Sequence, residues 1–171
     1  MLRKLTFFRF GSSLCAGADL QMLARSEAQK EVSKEVAAEL IGRDPFWIGN
    51  ALKRVTLSSG FDGVQGRTRL MTKTNLIELA FLAAFVSAGA KLMDAAAYAA
   101  MYVRQQRAGK VREWIFFSVG SGAQSATGTD ELSADKLAQL ASKSNPPGVV
   151  VIQAGEIVRR IDRFFEEGAT N

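Results

Sequence analysis

Histidine is missing from all 171 residues, and cysteine occurs once, at Cys15. Without imidazole there is no Ser-His-Asp triad, no histidine general base and almost no zinc chemistry. A single thiol closes no intramolecular disulfide and, without histidine, builds no metal cluster. It fits a reducing cytoplasm, the compartment expected here. Long apolar runs are also lacking. The nearest, residues 74–90, is interrupted by Glu78 and has the period of a core helix, so no membrane span is expected. Phosphate-loop and dinucleotide fingerprints are absent. Gly120, Ser121 and Gly122 lack the required spacing and read as a flexible loop. No carboxylate pair stands out for acid–base work. These absences point away from an enzyme: no catalytic site, no metal and no cofactor are expected.

What is present is enough for a core, with 47% hydrophobic and 23% charged residues. The chain is organised around residues 34–55, KEVAAELIGRDPFWIGNALKRV. Val36, Ala37, Leu40 and Ile41 recur at helical spacing. Gly42 breaks the run, Asp44 is a natural N-cap, and Pro45 suits the first helical position. The second helix carries Ile48, Ala51, Leu52 and Val55 inward. With the small Ala38 before the turn, the two helices can cross closely. That is the helix-turn-helix layout, in which the second helix is offered to a DNA groove. A buried helical hairpin is the plain alternative.

Downstream, residues 66–90 read GRTRLMTKTNLIELAFLAAFVSAGA. Gly66, Arg67, Thr68, Arg69 and Leu70 stand where a wing would end. Residues 72–79 begin the next helix, Phe81, Leu82, Phe85, Val86 and Gly89 pack and end it, and residues 92–96 start another. Over residues 32–98 this order resembles the MerR-like family of winged-helix regulators. The tyrosine pair usual at the end of that family's second helix is replaced by Ala51, Leu52, Lys53 and Arg54. The resemblance implies a winged helix-turn-helix DNA-binding domain over residues 26–110, acting in transcription regulation.

Charge agrees with that placement. Residues 43–112 hold eleven basic side chains against four acidic ones, a surplus of +7, whereas residues 113–171 hold five against eight, or −3. Phosphate neutralisation calls for such a surplus on the DNA-binding part. In the second helix Trp47, Asn50, Lys53 and Arg54 are the expected outward residues, with Arg43 at its approach. Asn50 can pair with adenine and Arg54 with guanine or phosphate. Trp47 has core packing as its alternative. A wing is expected from a short strand at residues 55–57 and a second at 64–71, turned by Asp62 and Gly63. Arg67 and Arg69 alternate onto one face of the second strand and, with Lys73, would hold the phosphate backbone.

The ends of the chain read differently. Residues 1–25 are expected to be a disordered or mis-started leader, with Met22 a plausible start. A cleaved leader is the remaining alternative. Tyr98, Met101 and Tyr102 form a stripe on a helix over 93–108, read as core. Residues 111–171 give a β-α-β-α pattern: a strand at 114–119, a loop at 120–128, a helix capped by Ser133, a break at Asn145, Pro146, Pro147 and Gly148, a strand at 149–152 and a helix over 154–166. Two strands make a marginal sheet; pairing with a second subunit or packing on residues 98–107 would remedy it, and the segment is expected to be a dimerisation or sensing extension. The fold class expected is mostly α (α+β). The function expected is a DNA-binding regulator acting on double-stranded DNA as a homodimer. A protein-interaction module on the same winged fold is the alternative.

Overall fold

The computed structural model describes residues 31–60, 70–110, 112–118, 126–142 and 149–167. All described residues belong to one compact unit within Glu31–Asn171. The expected leader at 1–25 lies outside them. The elements are α1 (Lys34–Ile41), α2 (Pro45–Arg54), α3 (Lys73–Ser87), α4 (Leu92–Arg107), β1 (Trp114–Ser118), β2 (Ala126–Thr129), α5 (Ala134–Ser142), β3 (Val149–Gln153) and α6 (Ala154–Glu167). The class is mostly α (α+β), as expected, and the small sheet is antiparallel. No described helix is long and apolar enough to cross a membrane.

The core is built on α3. Thr72 opens this helix with a reciprocal cap: its hydroxyl accepts the Asn75 N–H at 3.3 Å, and Asn75 Oδ1 accepts the Thr72 N–H at 3.0 Å. Every residue from Asn75 to Ala83 is buried. A helix apolar all round belongs in the middle of a fold, and α1, α4 and α6 all pack on this one. The stripe on α4 faces the core as read. Tyr102 stacks on Phe81 at 5.7 Å, Tyr98 meets Phe85 at 5.3 Å, and Phe117 of β1 meets Phe85 edge-on at 5.5 Å. The sheet and the helices therefore share one aromatic cluster.

The sheet corrects the two-strand expectation. Residues 126–128, assigned to a loop, form a third strand together with Thr129, and the order is β2-β1-β3 with both neighbours antiparallel to β1. The stretch ATGT has no apolar alternation, so nothing local announces it; pairing with the strongly apolar β1 decides its state. Ile115, Phe117 and Ile152 face the main core. Phe116 points to the opposite face and is buried too, on the side where α5 packs against β1 and β3.

The wing strands are also corrected where they are described. Residues 55–57 form no strand. The Val55 N–H closes α2 onto the Ala51 carbonyl at 2.9 Å, and Val55 and Leu57 are buried. Met71 instead pairs with Val32, through N–H to carbonyl bonds of 2.9 and 2.8 Å in the two directions. The entry to α1 is thereby fastened to the entry to α3. Residues 61–69 lie outside the described set.

Candidate nucleic-acid interface

The hairpin of α1 and α2 follows its local chemistry closely. Ser33 caps α1, its Oγ accepting the Val36 N–H at 3.4 Å. Gly42 takes a left-handed conformation (φ 66°), and the Arg43 N–H reaches back to the Ala38 carbonyl at 2.9 Å. That is how a helix end turns sharply without leaving carbonyls bare. Asp44 then caps α2, its Oδ1 accepting the Phe46 N–H at 2.6 Å, with Pro45 in the first turn. Ile48, Ala51 and Val55 are buried on the inner side.

Two buried polar residues of α3 fix the exit from α2. Glu78, 2% exposed, accepts the N–H groups of Ser58 at 2.7 Å and Ser59 at 2.9 Å. Asn75 donates to the Ser59 hydroxyl at 2.8 Å and the Gly60 carbonyl at 3.0 Å. These bonds satisfy a carboxylate that would otherwise be expensive to bury. They also take up N–H groups that a strand following α2 would have used. Sequence reasoning treated Glu78 only as an interruption of an apolar run. A lone carboxylate in an otherwise apolar helix was the available signal that a turn needed holding.

The expected contact residues divide into three groups. Lys53 and Arg54 are exposed, and neither carries an ion pair among the described residues. Asn50 is half-buried on the same outer side. Arg43, Trp47 and Lys73 are engaged within the fold. The Arg43 guanidinium lies 5.1 Å from the centre of the Trp47 ring and donates to the Ala83 carbonyl at 3.0 Å and to the Ser87 hydroxyl. It thus sits at the carboxyl end of α3, where the helix dipole favours a cation. Trp47 is half-buried and packs against the core. The Lys73 ammonium lies 2.9 Å from Asp162 Oδ1 on α6, an ion pair without the directionality of a hydrogen bond. Arg67 and Arg69 lie outside the described residues.

The residue that sequence reasoning missed is Phe46. At 74% exposure it is the most solvent-open large apolar side chain described. Phe46, Gly49, Asn50 and Lys53 follow one another at i, i+3, i+4 and i+7, so they share the outer face of α2. A Cβ placed on Gly49 would meet nothing within 4 Å. The outer face is therefore a ring, a notch, an amide and a cation, with the exposed Arg54 beside it and no acid on the helix. Neither family models nor curated proteins give a match to this chain.

Proposed function

We propose that the protein is a DNA-binding transcriptional regulator, with α2 entering the major groove in the manner of MerR-like winged-helix proteins. The observation that carries the reading is the outer face of α2: free of acids along the helix, ended by Lys53 and Arg54, which carry no ion pair among the described residues, and opposite the buried Ile48 and Ala51. Asn50 has the donor and acceptor to pair with adenine, and Arg54 suits guanine or phosphate. Arg67 and Arg69 would bind the backbone from the segment before α3. A symmetric homodimer is part of the proposal, because regulators with two half-sites mirror operator symmetry.

The test is a salt titration of the full chain against duplex DNA by fluorescence anisotropy. Binding should weaken steeply with salt. The double variant Lys53→Ala, Arg54→Ala should flatten the log–log slope by about two units, and Arg67→Ala with Arg69→Ala by about one to two. The competing reading, a protein-interaction module, draws on the exposed Phe46 ring as an apolar anchor. Affinity for duplexes that depends on neither salt nor sequence would decide for it.

A further inference from the structure

We infer that Phe46 reads a thymine methyl group in the major groove, an assignment that rests on the DNA-binding role proposed for α2. The ring is 74% exposed, and the fold does not use it, because Ile48 and Ala51 fill the inner side of the helix. It is nevertheless well placed. Its own N–H is bonded to the capping Asp44 carboxylate at 2.6 Å, and Pro45 stiffens the backbone immediately before it. One turn further on, Gly49 leaves open space where a side chain would stand off a partner surface. Lys53 lies two turns on, on the same face. The thymine methyl is the one apolar group among the major-groove edges, and an aromatic side chain is a natural contact for it. A protein partner fits this face less well. On α2 the other large apolar residues, Trp47 and Leu52, are half-buried against the core. A single open ring beside an amide and two cations falls far short of the apolar area a stable protein interface needs.

The experiment starts from a random duplex pool selected with the full chain. In the enriched duplex each thymine is replaced, one at a time, by deoxyuridine, which removes only the methyl group. At one thymine per half-site, deoxyuridine should weaken the wild-type protein by about threefold to fivefold, the worth of one buried methyl. Phe46→Ala should bind the thymine duplex more weakly and be indifferent to deoxyuridine at that position. Phe46→Leu, which keeps an apolar contact, should retain part of the sensitivity. The melting temperature of each variant should match wild type, since the ring is exposed. A Phe46→Ala protein that keeps the full deoxyuridine penalty, or that weakens every duplex equally, overturns the assignment. If Lys53→Ala weakens binding while Phe46→Ala keeps the penalty, the DNA-binding role stands and only the methyl contact falls. If wild type binds no duplex in a salt-dependent way, the DNA-binding role falls with it.

Discussion

Arg43 and Arg54 carry the same guanidinium and meet different surroundings. Arg43 is half-buried, stacked over Trp47 and bonded to the end of α3. Arg54 is exposed and carries no ion pair among the described residues. Arg43→Ala should therefore cost about 1–3 kcal/mol of stability, the value of charge-assisted bonds plus a cation–π contact. Arg54→Ala should cost under about 0.5 kcal/mol. Urea denaturation of the two variants checks this, and equal stabilities would mean that Arg43 is not a structural residue. Tyr102 makes a second residue-scale case. Burial among aromatic rings pushes its phenol up to about 12, from an ordinary value of 10.0. Because the folded-state value is the higher one, the unfolded chain loses this proton first as pH rises. The contribution is whole below about pH 10 and is lost between about pH 10 and 12, on the order of 2–3 kcal/mol. Urea midpoints measured across that window should fall more steeply for wild type than for Tyr102→Phe. The other tyrosine, Tyr98, is also raised, by burial first and then by Asp94, so the variant should keep a weaker slope.

At the scale of the element, two glycines show how different a missing Cβ can be. Gly42 has open space around it but a φ of 66°, so Gly42→Ala pays only for left-handed backbone, about 1 kcal/mol or more. Gly155 has ordinary backbone but crowded surroundings: a Cβ there would fall 1.9 Å from Glu113 Oε2. That carboxylate is the far end of a flexible side chain, and it binds Arg159 through two bonds of 2.8 and 2.9 Å, which hold it below the usual carboxylate range. Gly155→Ala should push Glu113 aside and break an exposed pair that contributes little to stability. Better helix propensity should return a similar amount. Near-neutral stability, with the Glu113 carboxyl returning toward ordinary titration by NMR, is the expected result; unchanged titration would mean that the pair survives the substitution. The same scale shows what could be read in advance. The turn between α1 and α2 was legible residue by residue, because Gly42, Asp44 and Pro45 act locally, whereas the Ser33 cap of α1 was not singled out. The outer face was legible in part. Lys53 and Arg54 are exposed, as their outward placement expects, while Trp47 packs against the core, the alternative given for it, and the exposed Phe46 was not singled out, since neighbouring aromatics on one turn are told apart only by which of them meets the core. Arg43 and Lys73 were hidden as structural residues because their partners, Ala83, Ser87 and Asp162, are distant in sequence.

For the whole molecule, the consequence of β2 reaches furthest. A two-stranded extension would need a partner subunit or the helix over residues 98–107 to support its sheet, whereas the third strand comes from the same chain and Phe117 packs on Tyr98 of that helix. Gly128 shows why that strand could not be recognised locally. It lies opposite Ile115, and a Cβ there would come within 2.7 Å of the Arg112 side chain, so the glycine answers to a tertiary approach rather than to strand propensity. The sheet is also not an appendage. Phe117 sits between Phe85 and Tyr98, and Ile152, Ala154, Ile161 and Phe165 belong to the same buried cluster as α3. Removing residues 149–171 would strip β1 of one neighbour and uncover α3 along the side where α6 packs. Each large core side chain lost costs about 2–5 kcal/mol, and total stabilities are only about 5–15 kcal/mol. The truncated chain should therefore lose its cooperative thermal transition instead of yielding a folded monomer. Circular dichroism melting of the truncated chain, beside sedimentation velocity of the full chain, separates folding from assembly. A sharp transition in the truncated chain would show that α1 to α4 fold without the sheet. A full-length chain that sediments as a monomer at micromolar concentration would remove the homodimer from the proposed function, while leaving the outer face of α2 free to bind DNA one site at a time.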